Sequence, residues 1–315
     1  MPGGELLGVS RAHQGVLEIL GRVAHTDVEV LITGPTGVGK ELYARYVHDA
    51  SKRSKSAFIA VNCAVLSDEL FENELFGHVA GAFTGAKRER EGLVSAAEGG
   101  TLFLDEVDAL SPASQAKMLR FVQLREYRRL GEHHLRRADV RLVAASNTDL
   151  MQAVHEGRMR EDLLFRLRVV PIVVAPLAQR PEDIAPLLER FSSHYASAYR
   201  MPAICFSTAA LERLAGYRWP GNVRELENLV RYLTCIQLGR AVEPNDLPLV
   251  GEHERLAATF QEGKRAAVEA FERSHIVDAL TRSAGNIARA ARSVGKPRRT
   301  FFALMRKYGI ESPGR

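Results

Sequence analysis

Nowhere does the chain carry a run approaching the ~18 consecutive apolar residues that a membrane-spanning helix needs. Its start, MPGGELLGVS, lacks the basic-then-apolar layout of a secretory signal. No membrane span and a cytoplasmic location are therefore expected. Cysteine is scarce: Cys63, Cys205 and Cys235 are scattered, odd in number and outside any CxxC spacing. Three reduced thiols fit this better than a disulfide framework or a cysteine-held metal. There are no internal repeats and no low-complexity tracts.

What is present is an ordinary globular composition, 46% hydrophobic and 26% charged over 315 residues, enough for two or three packed units. Charge is unevenly placed. Residues 264–315 hold twelve Lys and Arg against four Asp and Glu, a net of +8, whereas residues 1–263 are close to neutral at −3. A short basic end on a near-neutral protein is the electrostatic footprint of a nucleic-acid-binding unit, although a solvated basic face has the same composition.

Short apolar runs bounded by turn residues alternate with helical patterns: 28–33, 58–62, 101–104, 140–146 and 169–174. This alternation predicts a doubly wound α/β domain with a mostly parallel sheet over residues 1–180. From 181 to 243 the strands stop and amphipathic helices take over, interrupted at Trp219-Pro220-Gly221-Asn222. Residues 244–263 read as a linker, and 264–315 as a third, helical unit. Within it, Ile287, Ala290, Ala291 and Val294 follow one helical period, and Phe301, Leu304, Met305 and Tyr308 another.

Gly34-Pro35-Thr36-Gly37-Val38-Gly39-Lys40 follows the first strand and opens a helix. Such a loop turns backbone N–H groups and a helix N-terminus toward phosphate oxygens, with Lys40 reaching the β/γ phosphates of a nucleotide. The Ser/Thr usual after the lysine is Glu41. A second strand, 101–104, ends in Asp105-Glu106, carboxylates placed at the C-terminal end of the sheet where ligands bind. Asp105 suits Mg²⁺ and Glu106 suits the attacking water of ATP hydrolysis.

Gly81-Ala82-Phe83-Thr84-Gly85-Ala86, with the segments around it, resembles the sigma-54-dependent transcriptional activators over nearly the whole chain. That resemblance implies an AAA+ P-loop fold with a small helical lid and a C-terminal helix-turn-helix. It further implies that the hexapeptide is the tip of a mobile loop touching the sigma factor, and that Glu41 is a family trait. Asn62 resembles the asparagine that restrains the catalytic glutamate, although an Asn at a strand end also forms turns. Asn147, at the end of Ala144-Ala145-Ser146, resembles the residue that reads the γ-phosphate, and Arg224 the lid arginine. Arg160 and Arg166 resemble the two arginines presented to a neighbour's nucleotide, which implies a homo-oligomer, typically a hexameric ring.

Residues 285–301 resemble a Fis-type helix-turn-helix, with Arg298, Arg299, Thr300, Arg306 and Lys307 as candidate contacts to upstream activating DNA. Lys296 and Pro297 depart from the family pattern after the turn glycine. Only 33 residues precede Gly34, too few for a sensing domain, which resembles the receiver-less subgroup. For a complete chain of that kind, control comes from a separate protein or from expression level. The implied activity is ATP hydrolysis with Mg²⁺, used to convert the sigma-54 RNA polymerase holoenzyme from closed to open complex.

Overall fold

A computed structural model describes residues 6–65, 68–84 and 86–249, together with 276, 279–280, 283, 287–295, 300, 301 and 305. The chain divides into two compact units, Met1–Leu247 and Pro248–Arg315.

The first unit is built on five parallel strands, β1 (Val30–Thr33), β2 (Phe58–Asn62), β5 (Thr101–Asp105), β8 (Arg141–Ser146) and β9 (Val170–Val173), in the order β2-β5-β8-β1-β9. They coincide with the five apolar runs of the sequence to within two residues at each end. Alternate side chains sort to two cores, because successive residues of a strand point to opposite faces. On one face Val30, Ile32, Phe103, Val143, Ala145 and Ile172 pack with Tyr43, Ala44 and Val47 of α2 (Lys40–Asp49) and Leu20 of α1 (Arg11–Ala24). On the other, Leu31, Val61, Leu102, Leu104, Leu142 and Ala144 pack under α3 (Asp68–Phe76), α5 (Pro112–Leu124), α6 (Leu150–His155) and α7 (Glu161–Leu167). Near-continuous apolar strands are what a parallel sheet covered on both faces requires.

Two short antiparallel hairpins leave this layer. One, β3 (Gly77–His78) with β4 (Arg90–Glu91), carries the hexapeptide between its strands. The other pairs β6 (Glu126–Tyr127) with β7 (Arg136–Arg137). They touch at their bases, where Leu130 N donates to Gly77 O at 2.8 Å and Val79 N to Leu130 O at 3.1 Å. A four-residue helix, α4 (Leu93–Ala96), returns the chain to β5.

Beyond β9 come α8 (Ile184–Tyr199), α9 (Thr208–Ala215) and α10 (Asn222–Ile236), the helical region expected from the loss of strand signals. Trp219, 1% exposed, is its largest buried side chain, and its indole N–H donates to Leu214 O at 2.9 Å. The break is real: Trp219 and Asn222 both take positive φ, and α10 starts at Asn222.

In the second unit Ile276, Ala279, Leu280, Ala290, Ala291, Phe301 and Met305 form a small core, with Ile287 and Val294 against it. Ala290 and Ala291 lie on α11 (Ile287–Ser293), and Gly295, φ +66°, follows that helix. The apolar periods that predicted the last two helices thus supply much of the core.

Candidate functional site

Gly34 to Gly39 links β1 to α2, and its glycines permit a path that a Cβ would block. Gly37 has φ +83°, and a Cβ there would lie 2.3 Å from Gly221 O. The loop and the N-terminus of α10 are therefore in backbone contact. Arg224 N donates to Gly37 O at 3.2 Å, and Asn222 Nδ2 donates to Thr36 O at 2.9 Å. Asn222 Oδ1 in turn accepts from Leu177 N at 2.8 Å. The lid is thereby hydrogen-bonded directly to the loop it covers.

Between them lies a cleft of roughly 800 Å³, the size range of a small-molecule site. Thr36, Gly37, Gly39, Lys40 and Glu41 line it from the loop, Asp105, Glu106 and Asn147 from the strand ends, and Arg224 from the lid. Pro35 contributes through its carbonyl, and Val38 is buried beneath, its carbonyl accepting from Arg180 at 3.4 Å.

Lys40 is only 6% exposed, and its ammonium has three acceptors: Gly34 O at 2.8 Å, Pro35 O at 3.3 Å and Asn147 Oδ1. Burial pulls its pKa below the ordinary lysine value, while Asp105, Glu106 and Asp108 pull it back up. Asn147 reaches the other way as well, its Nδ2 donating to Glu106 Oε1 at 2.7 Å. One amide thus connects the buried ammonium to the carboxylate.

Glu106 stands at φ +57°, ψ +48°, a left-handed conformation rare for a residue with a Cβ. Strain of about 1–3 kcal/mol of this kind persists where surrounding structure over-determines it, and it clusters at functional sites. Asp105 Oδ1 accepts from Glu106 N at 3.0 Å. Burial raises the Asp105 pKa above the ordinary carboxylate value, opposed first by the nearby Lys40 charge.

Asn62 pairs in register with Asp105 across β2 and β5. Its side chain, expected to restrain Glu106, instead accepts from Ala64 N at 2.8 Å and closes its own turn, the alternative open to an Asn at a strand end. The amide on Glu106 belongs to Asn147. Arg160 and Arg166 do not line this cleft. Arg160, at the start of α7, pairs with Asp162 at 2.8 Å, and Arg166 is exposed in the helix's last turn.

Gly81, Phe83 and Thr84 are exposed, Ala82 is half-buried and Ala86 is buried. Gly81 N donates to Ala86 O at 2.8 Å, closing the loop, and the Phe83 ring stands edge-on to His78 with centroids 5.0 Å apart. Gly85 lies outside the described residues. Thr300 is helical and exposed, whereas Arg298, Arg299, Arg306 and Lys307 lie outside the described residues.

Sequence reasoning missed four lid residues on the cleft wall, Tyr195, Glu227, Asn228 and Arg231, together with Arg45 on α2. Spacing from Arg224 was the available signal: positions three, four and seven further along a helix share its face.

Phosphate loop, strand-end carboxylates and helical lid around one cleft define an AAA+ nucleotide-binding domain of the P-loop ATPase class. Residues 6–173 match the sigma-54 interaction domain, 178–262 the AAA+ ATPase lid domain, and 267–308 the bacterial regulatory proteins of the Fis family. The chain is 42% identical over 302 residues to the transcriptional regulatory protein ZraR of Klebsiella oxytoca, covering 95% of this chain and 68% of that protein. With the phenol regulator MopR of Acinetobacter guillouiae identity is 40% over 311 residues, covering 96% of this chain and 56% of that one. The crystal structure of NtrX from Brucella abortus in complex with ATP superposes with a TM-score of 0.73 at 35% identity, covering 98% of this chain and 70% of NtrX. The chain belongs to the sigma-54-dependent family of transcriptional regulators and carries that family's ATPase domain, lid and Fis-type DNA-binding region. No helix among the described residues is long and apolar enough to cross a membrane.

Proposed function

We propose that this protein is a cytoplasmic activator that hydrolyses ATP with Mg²⁺ and uses the energy, through Gly81–Ala86, to convert sigma-54 RNA polymerase from closed to open complex. It holds upstream DNA through the C-terminal unit and works as a homo-oligomeric ring, a hexamer by family resemblance. The observation that carries this reading is the chain Lys40–Asn147–Glu106, which joins a residue suited to the terminal phosphates to one suited to the attacking water.

In that chemistry Lys40 exchanges the carbonyls of Gly34 and Pro35 for phosphate oxygens, and its buried charge gains the partner that burial demands. Asn147, released from Lys40, is free to read the γ-phosphate while Glu106 orients water. Asp105 fits Mg²⁺: its carboxylate is partly buried with a raised pKa, so a cation there relieves the cost of its charge. Among the described residues no group of three or more His, Cys, Asp or Glu could hold a metal. One carboxylate plus phosphates is how Mg²⁺ is commonly bound, and when bound it neutralises charge on the phosphate oxygens. Arg160 and Arg166 are supplied to a neighbouring subunit's cleft, so assembly precedes turnover.

The test is promoter opening by purified protein, ATP and sigma-54 RNA polymerase, with ATP turnover measured on the same samples. Glu106→Gln should bind ATP without turnover or opening, and Thr84→Ala should retain turnover but lose opening. Wild-type turnover without any promoter opening would remove the sigma-54 reading and leave the ATPase reading standing.

A further inference from the structure

Helix α5 carries one amide on its buried face. Gln115, 1% exposed, stands one turn after the N-cap Ser111, where a polar side chain removed from water has to find partners inside the protein. It finds three. Its Nε2 donates to Leu110 O and to Arg158 O, both at 2.8 Å, and its Oε1 accepts from Arg160 N at 2.8 Å. Both amide hydrogens are thereby used, and backbone groups from two separate segments fix which way the amide points.

Those segments hold the two halves of the chemistry. Leu110 ends the short turn Val107–Ala109 that follows Glu106, a turn closed by Ala109 N donating to Glu106 O at 2.9 Å. Asp108 in that turn accepts from Asn147 N at 3.4 Å, so the turn is also tied to the residue that bonds Glu106. Arg158 and Arg160 stand on either side of buried Met159 at the entrance to α7. With only seven residues α7 is too short to hold its own place, and Arg160 at its N-cap gives no side-chain cap. In a capping box a Glu or Gln at the third helical position reaches back to the N–H of the cap residue. Here that position is Leu163, and Gln115 performs the task from another helix. Arg160 is held at its backbone by Gln115 and at its guanidinium by Asp162.

We propose that Gln115 is a positioning residue for ATP hydrolysis: it sets the arginines of α7, presented to a neighbouring subunit, against the turn that leaves Glu106 in its own subunit. This rests on the supply of Arg160 and Arg166 between subunits proposed above. Gln115 does not line the cleft, so its effect is geometric. Displacement of a catalytic group by about 1 Å costs on the order of 100-fold in rate. A seven-residue helix released at its N-terminus loses the constraint that prevents such a displacement.

The experiment uses the full chain with Gln115→Met, which keeps the length of the side chain and removes all three bonds, and Gln115→Leu, which removes them with different packing. ADP affinity by titration calorimetry and the KM for ATP should stay within about threefold of wild type, while kcat falls by about tenfold or more. Each variant is then mixed with an excess of Glu106→Gln, which keeps its arginines but cannot turn ATP over. Turnover of the mixture should exceed the sum of the two proteins alone, because the cleft of a Gln115 variant then faces a neighbour with intact arginines. Damage confined to a subunit's own fold or own cleft would not be repaired by a neighbour. Arg160→Ala mixed with Glu106→Gln is the reference for a subunit that lacks only the arginine. Recovery in the reference mixture without recovery in the Gln115 mixtures overturns the role of Gln115 and leaves the shared arginines standing. Wild-type kcat in both Gln115 variants, or loss of ADP affinity in both, overturns it as well. Arg160→Ala and Arg166→Ala that each turn over ATP like wild type overturn the supply of arginines between subunits, and the role of Gln115 with it.

Discussion

Replacing Gly37 with alanine isolates the contact between phosphate loop and lid. The new Cβ would stand 2.3 Å from Gly221 O, 3.2 Å from Gly221 C and 3.3 Å from Arg224 Cβ. A backbone oxygen at 2.3 Å cannot be accommodated by a rotamer change, so the start of α10 must withdraw. Withdrawal strains or breaks the bonds from Arg224 N to Gly37 O and from Asn222 Nδ2 to Thr36 O. At about 1 kcal/mol each these amount to about 2 kcal/mol. An L-residue at this φ costs a further 1–2 kcal/mol or so in either lid position. Gly81→Ala separates the two costs, because Gly81 has the same φ of +83° with nothing within 4 Å of its Cβ position. If nucleotide binds only when the lid is docked, the lid cost appears in full as lost affinity, about thirtyfold at 1.4 kcal/mol per decade. Titration calorimetry with ADP on Gly37→Ala, Gly81→Ala and wild type reads this directly, with circular dichroism to confirm a native fold. Affinity of Gly37→Ala within threefold of Gly81→Ala would show that the lid does not bear on nucleotide binding through this contact.

Burial pushes the Cys63 thiol up to about 12, while Cys205 and Cys235 are exposed. Iodoacetamide at pH 8 should therefore label two thiols and spare Cys63, and mass spectrometry showing Cys63 labelled on the native protein would refute its burial. His13 and His48 are both held below the ordinary imidazole value, chiefly by burial. The unfolded chain, titrating near ~6.5, then binds more protons than the folded one as pH falls below that point, so stability is full above it and declines toward the lower folded values. Melting temperature should drop between pH 7 and 5.5, and His48→Gln should flatten the drop; a melting temperature that climbs on acidification counts against both assignments.

How much of this was legible in the sequence depends on the range of the interaction that fixes each feature. The five strands were readable because their burial is local in pattern: a parallel strand covered on both faces must be apolar at nearly every position. Gly34–Lys40 and Asp105-Glu106 were readable for a related reason, since their chemistry needs fixed residue types at fixed spacing next to a strand. Tyr195 was not. It reaches the cleft from α8, where no spacing from Arg224 points to it, and its O–H donates to Glu227 Oε1 at 2.9 Å across the lid. The same holds for Asp183, fully buried and far from the phosphate loop in sequence, which accepts from Val9 N, Ser10 N and Ser10 Oγ at 2.6–2.8 Å. Arg180, three residues earlier, reaches Val38 O and the Tyr43 hydroxyl. No periodicity announces a carboxylate that holds the N-cap residue of a helix more than 170 residues away.

Asn62 and Asn147 carry that distinction down to a single hydrogen bond. Both are asparagines at the C-terminal ends of the two strands that flank β5. Resemblance to the family favoured Asn62, and the structure does place it directly opposite Asp105. Being opposite Asp105 is not being opposite Glu106, however. Successive residues point to opposite sides, and the left-handed backbone of Glu106 turns its carboxylate further out of the strand's register. The bond then goes to Asn147, at the end of β8 on the other side of β5, which also meets Lys40. A single strained φ at Glu106 thus decides which neighbour holds the residue suited to catalysis. It also ties that residue, through Asn147, to Lys40, the lysine suited to the terminal phosphates.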